Sequence, residues 1–299
     1  MKIGVIVPAA EGDGEGRTPA WPTIRSFVAL AEAHAIDSVW MFDHFFNKEP
    51  DAPIQGQHEA WTIVSAIAAV TERVEIGTLV LCTSFRSPAL VAKMAVTADE
   101  VSGGRVILGL GAGWHDPEYE AFGFPNDHRV DRFEEALGII VPLLRGETVT
   151  FGGRYEEVRD AVLAPAPSRN IPVLVAAFGQ RMLRLTARHA DAWNTAWYGE
   201  PDDQLREQLA AFDAMLAAEG RSRASVARTV GMTVCDPAVA VTDDDRDDPS
   251  FSGSVDELAR AIDGYEALGI DHLIILLQPL IEASLDRLAL ALKQRSGSA

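Results

Sequence analysis

The stretch VEIGTLVLCTSFRSPALVAKMAVTADEVSGGRVILGLG, residues 74–111, decides how this chain folds. It opens with an aliphatic run (74–81), turns, and restarts at Pro88 as an amphipathic stretch reaching about residue 101. A proline at the first helical position is a common start signal, because that N–H has no helical partner to lose. A second aliphatic run, RVILGLG (105–111), follows. Both runs are continuously apolar instead of alternating, as expected of strands covered on both faces in a parallel sheet. Strand, helix, strand is therefore the unit.

Working outward, the same unit recurs. Strands are expected at 2–7, 38–43, 74–81, 105–111, 171–177, 191–197, 226–234 and 271–278. Helical patterns fall at about 20–35, 58–71, 88–101, 128–145, 179–189, 201–219, 254–268 and 280–295. Pro201-Asp202 and Ser254, with Glu257 three residues on, read as helix starts. Eight strands alternating with eight helices in 299 residues predict one α/β domain over 1–299, a (β/α)8 TIM barrel. A doubly wound sheet is the rival, but it would need fewer units or a second domain. Residues 146–170 are expected as an insertion between strands four and five, folded as a short hairpin. The acidic, turn-rich segment 236–254 is expected as a long loop after strand seven.

Composition narrows the function. The chain carries 44 acidic against 26 basic residues, a net charge of −18. That balance disfavours nucleic acid and anionic membrane surfaces as partners, since both need a basic patch. No apolar run approaches the roughly 18 residues that suggest a membrane helix. MKIGVIVPA at the start is a short β-type run without signal-peptide features, so a cytoplasmic location is the expectation. Cys82 and Cys235 lie far apart and outside any CxxC spacing, arguing against a disulfide framework or a cysteine-based metal site.

In a barrel, the C-terminal strand tips form the active face. SVWMFDHFF (38–46) places Asp43 and His44 there, between apolar neighbours. A histidine titrating near neutrality suits a proton transfer; the bland alternative is that Asp43 caps a turn and His44 packs as a wall. A metallohydrolase would want several His and carboxylates converging from different tips, and strand one offers none. No metal is expected. No GxSxG elbow appears, and Cys82 reads as a small apolar filler before it reads as a nucleophile. GLGAGW (109–114) brings Gly111, Gly113 and Trp114 to the tip of strand four. Its glycines either let a flat ring approach or simply fit a crowded interior. AAFGQR (176–181) runs from strand five into a helix, where N–H groups could meet an anion and Arg181 could add charge. An apolar pocket with one anion cradle suits a flat redox ring carrying a phosphate.

The string IGTLVLCTSFRSPALVAKMAVTADEVSGGRVILGLGAGWHDPEYEAFGFP (76–125) resembles the luciferase-like monooxygenase family, in its branch of deazaflavin-dependent oxidoreductases. SVWMFDHF, RFEEALGII (132–140), IPVLVAAFGQR and ARHADAWN (187–194) continue the resemblance in order. It implies a homodimeric TIM barrel using coenzyme F420 or, in the alternative, reduced flavin mononucleotide (FMN). Carried over by position, Asp43 and His44 sit beside the redox ring, with Asp43 orienting the imidazole or capping its loop and His44 moving a proton. Leu79-Val80 matches a bulge with a non-prolyl cis peptide behind the ring, and Cys82 a further ring contact. Ala176, Ala177, Phe178 and Gly179, with Gln180 next to them, match the loop on the phosphate side. In the sugar-phosphate dehydrogenases of this branch a glutamate acting as an acid follows the glycines of strand four. Trp114 stands there instead, which favours a small, more apolar substrate. The expected function is hydride transfer between coenzyme F420 and such a substrate. The alternatives are a two-component FMN-dependent monooxygenase and a catalytically silent flavin-binding protein.

Overall fold

Eight parallel strands close on themselves in a computed structural model that describes residues 1–13, 16–48, 50, 52–238 and 249–297. They are β1 (Lys2–Ile6), β2 (Ser38–Met41), β3 (Glu75–Thr78), β4 (Val106–Gly111), β5 (Val173–Ala176), β6 (Ala192–Tyr198), β7 (Ala227–Cys235) and β8 (His272–Gln278). Each pairs with its sequence neighbours, and β8 pairs with β1. The ring is continuous through β4 and β5, where Val173 lies opposite Leu108 and Val175 opposite Leu110. Closure leaves the barrel sheet itself without a free edge. The eight expected strands are therefore all present, and the arrangement is the expected barrel.

Outside it run α1 (Trp21–Ala33), α2 (Ala60–Val70), α3 (Pro88–Ser102), α4 (Asp116–Phe122), α5 (Arg129–Leu144), α6 (Gly179–His189), α7 (Asp203–Ala218), α8 (Val255–Ala267) and α9 (Glu282–Gly297). Pro88 is the first residue of α3, Asp202 caps α7 by accepting from the Leu205 N–H, and Ser254 with Glu257 forms the capping box of α8. Nearly every aliphatic strand residue is buried, since one side chain faces the barrel interior while the next faces the helices. None of the described helices is long and apolar enough to cross a membrane.

Three departures matter. The run 74–81 is not one strand: β3 ends at Thr78, the Leu79–Val80 peptide is cis, and Leu81–Cys82 resumes alongside β4. The loop after β4 contains the unexpected short helix α4, capped at its end by Gly123 in the left-handed region. The expected hairpin in 146–170 is present as Val149–Gly152 paired with Glu157–Ala161. Of the acidic segment 236–254, residues 239–248 lie outside the described residues, while Phe251–Ser252 pairs with the end of β7.

At the opposite end of the barrel, polar groups are buried in a closed chain. The Trp40 indole N–H donates to Ser38 Oγ at 2.7 Å, and Ser38 Oγ lies 2.7 Å from His272 Nε2. Burial pushes the His272 imidazole down to about 3, with the positive charges of Lys2 and the N-terminus adding to the effect. This histidine stays neutral and belongs to the fold.

Candidate active site

A cavity of about 900 Å3 opens at the C-terminal strand tips. Asp43, His44, Leu79, Val80 and Cys82 line one side, and Gly111, Gly113, Trp114, Ala176 and Phe178 line another. Ten of the residues expected at the site are thus brought together by the barrel, from positions up to 135 residues apart. Ala177, Gly179 and Gln180 are not in the wall. Ala177 is buried, and its N–H donates to the Asn194 carbonyl, so that group is not available to a ligand.

Asp43 does not orient His44. Its carboxylate, buried at the end of β2, accepts from Arg86 at 2.7 and 2.9 Å and from the Cys82 N–H at 2.9 Å. Arg86 also bonds to Glu59, whose carboxylate accepts from the Trp61 and Thr62 N–H groups at the start of α2. The ion-paired acid thus ties three loops of the barrel mouth. It lines the cavity as a fixed group, and the expectation that it steers the imidazole is corrected.

The acid that meets His44 is Glu118 on α4. His44 Nδ1 and Glu118 Oε2 are 2.8 Å apart, and Glu118 Oε1 accepts from the N–H groups of Phe45 and, at 3.3 Å, Phe46. Burial opposes ionisation of Glu118, but the bond from His44, its attraction when the ring is protonated, and the two N–H donors outweigh it and hold its carboxyl below the ordinary range. Trp114 approaches His44 edge-on with ring centres 5.5 Å apart, and His115 does so at 6.0 Å. Trp114 is 65% exposed and stands at the rim. No group among the described residues bonds to His44 Nε2, while the ring lines the cavity.

The glycines of strand four are explained by the protein itself. A Cβ on Gly111 would run into Val80, and one on Gly113, at φ +78°, into Tyr119 and Cys82. Their backbones reach the cavity, but the room their missing side chains leave is filled by these neighbours. Cys82 Sγ lies 3.1 Å from the Tyr119 hydroxyl, and burial pushes the thiol up to about 11, only partly offset by that bond.

Gly179 differs. It opens α6 at φ +72°, nothing within 4 Å would meet a Cβ, and Phe178 before it offers no capping side chain. The first N–H groups of a helix have no intrahelical partner, so this exposed end is suited to an anion. Arg181 does not reinforce it, since its guanidinium pairs with Asp131 at 2.6 Å and Glu134 at 2.7 Å. No Lys or Arg side chain lines the cavity among the described residues, and no cluster of His, Cys, Asp and Glu there could hold a metal ion.

The sequence model described as "Luciferase-like monooxygenase" matches residues 1–237, most of the chain. The chain belongs to the luciferase-like monooxygenase family. Among curated relatives it is 34% identical over 206 residues to the "F420-dependent glucose-6-phosphate dehydrogenase" of Microbacterium testaceum (strain StLB037), covering 68% of this chain and 61% of that protein. It is 32% identical over 254 residues to the "Phthiodiolone/phenolphthiodiolone dimycocerosates ketoreductase" of Mycobacterium bovis (strain BCG / Pasteur 1173P2), covering 78% of this chain and 64% of that one. The matches therefore span about three fifths of these relatives' length. Among solved structures, an "F420-dependent secondary alcohol dehydrogenase in complex with an F420-acetone adduct" superposes with a TM-score of 0.82 over 98% of both chains. At 20% identity it shows a shared barrel fold.

Proposed function

We propose that the chain is an F420-dependent oxidoreductase acting on a small, uncharged and largely apolar alcohol or carbonyl compound. The observation that carries this reading is His44. Its ring lines a cavity of about 900 Å3 walled mainly by apolar side chains and is held from behind by an ionised carboxylate. Relatives named for their dependence on F420 support the choice of coenzyme.

The residues present suit such a group. The cis Leu79–Val80 segment and the Gly111 and Gly113 backbones would flank a flat ring, and the open N-terminus of α6 at Gly179 would receive a phosphate. When bound, the coenzyme supplies hydride exchange at C5 of its deazaflavin ring. His44 handles the proton that accompanies it: Nε2 takes the hydroxyl proton as an alcohol is oxidised and returns it as a carbonyl is reduced. Trp114 screens the imidazole from solvent on one side, which strengthens each polar interaction beneath it.

Substrate charge follows from the wall. A sugar phosphate needs cations or a second set of N–H donors, and the wall offers neither Lys nor Arg among the described residues. Thr233 and Gln278, on the far side, can fix a single hydroxyl or carbonyl. The homodimer implied by the resemblance belongs to the same proposal. The exposed Leu90 and Val101 of α3 are its candidate contact, and sedimentation velocity checks it.

The test is a pair of titrations of the protein with coenzyme F420 and with FMN. Turnover of a panel of secondary alcohols, enones, imines and glucose 6-phosphate follows. Deazaflavin binding with turnover of uncharged members is the expected result. Tight binding of FMN with none of the deazaflavin overturns it in favour of a flavin monooxygenase. Binding without oxidation of the reduced deazaflavin by any panel member leaves a silent flavin-binding protein.

A further inference from the structure

We propose that Glu118 is the positioning residue of His44: it fixes the imidazole in the Nδ1–H form, leaving Nε2 as the proton-accepting atom, and supplies the charge against which the ring is protonated. This rests on the reading above that His44 moves a proton. It concerns a side chain on α4, an element the sequence pattern did not reveal.

The geometry carries the argument. An ionised carboxylate only accepts hydrogen bonds, so at 2.8 Å from Glu118 Oε2 the Nδ1 atom of His44 must be the donor. A neutral imidazole with its proton on Nδ1 has its lone pair on Nε2. Glu118 cannot rotate away, because its other oxygen accepts from the N–H groups of Phe45 and Phe46. All of its donors thus come from one segment, 44–46, which it holds as a unit 72–74 residues away in sequence. The carboxylate is 1% exposed and pairs with no Lys or Arg among the described residues. A buried charge of this kind is costly unless a partner is charged, and protonation of His44 creates that partner. Trp114 and His115 pack edge-on against the same ring and restrict its plane.

A purely structural staple would also bond Phe45 and Phe46, so the test must separate the two roles. In Glu118→Gln the two backbone N–H groups demand the amide oxygen. The amide NH2 then faces Nδ1, a donor where an acceptor is needed to match a donor. The ring can satisfy it only by moving its proton to Nε2, which removes the accepting atom from the cavity.

The experiment is long-range proton–nitrogen NMR of histidine-labelled protein at mildly alkaline pH, without coenzyme, beside kinetics. In the wild type, Nδ1 of His44 should be protonated and Nε2 bare; Glu118→Gln should reverse this. Coenzyme F420 affinity should stay within about threefold, while turnover of the best alcohol falls by about 10²-fold or more. In a His44→Ala background, Glu118→Gln should change turnover little, since residues acting as a unit are not additive. A wild-type His44 protonated on Nε2 overturns the proposal, and that spectrum decides even if the variant does not fold. Unchanged turnover in Glu118→Gln, or an equal loss in both backgrounds, also overturns it. If the wild type turns over no alcohol or carbonyl compound, the functional reading fails while the NMR comparison still decides what Glu118 does to the ring.

Discussion

Replacing Arg86 with methionine should destabilise the fold by stranding a buried charge at the barrel mouth. The side chain is only 10% exposed, and its guanidinium is the cation opposite Asp43, whose carboxylate is 1% exposed. Without it Asp43 keeps one donor among the described residues, the Cys82 N–H at 2.9 Å, and sits as an uncompensated buried charge. Breaking such a pair from one side costs about 3–5 kcal/mol. Two features place this case at the low end. Glu59, the second partner, is 38% exposed and can turn to water, where its loss is worth at most about 1 kcal/mol. Asp43 also borders the cavity, so solvent can reach it. A loss of about 3 kcal/mol is therefore expected, or roughly 6 °C in thermal midpoint at about 2 °C per kcal/mol for a chain of this size. Urea denaturation followed by tryptophan fluorescence measures it, with the Asp43→Asn/Arg86→Met double variant beside it. The double variant should lose less than Arg86→Met alone, because the stranded charge is gone. A loss below about 1 kcal/mol in the single variant, or simple addition in the double, refutes the reasoning.

Three further outcomes are expected. His44→Ala should lower turnover by about 10²–10⁴-fold while coenzyme affinity changes little, and stopped-flow kinetics beside a binding titration would show a structural histidine if both fell equally. Gly179→Val places a β-branched residue at φ +72°, in space otherwise open. The left-handed backbone costs about 1–2 kcal/mol or more, so the melt drops a few degrees. Affinity for the intact coenzyme should fall while that for the bare deazaflavin chromophore holds; parallel losses with an unchanged melt count against a phosphate at α6. For His272, the unfolded chain takes up a proton near 6.5 and the folded one not until about 3. Its contribution to stability is thus full above 6.5 and is lost as pH falls below it, at up to about 1.4 kcal/mol per pH unit. Stability of His272→Asn minus wild type, measured in urea from neutral to acid pH, should grow steadily toward acid; a constant difference contradicts the assignment.

The barrel was legible because each strand carries its own signal: a short aliphatic run between turn residues needs no knowledge of the rest of the chain. Gly179 was legible in the same way, as a glycine between a strand and a helix start. The polar partnerships were not. Asp43 and His44 are adjacent in sequence, yet one side chain turns to Arg86 and the other to Glu118, because successive residues leave a strand tip in different directions. Glu118 sits in the first turn of a seven-residue helix too short to show an apolar period. Arg181 reads as a free cation until α5 brings Asp131 and Glu134 against it. The glycines at 111 and 113 read equally well as room for a ring, and only the positions of Val80 and Tyr119 show what fills that room.

The pairing of Cys82 with Tyr119 bears on how the site ages. With its thiol pushed up to about 11, Cys82 is almost wholly protonated at neutral pH, with a thiolate fraction of roughly one in ten thousand. Peroxide and alkylating reagents attack the thiolate, and access is narrow as well, since the residue is 4% exposed. A sulfur atom in the cavity wall is in this way chemically silent. The site should keep its shape through oxidative conditions that would convert an exposed, acidic cysteine to sulfenic acid, and its lifetime should be set by unfolding of the barrel instead of by damage to its lining.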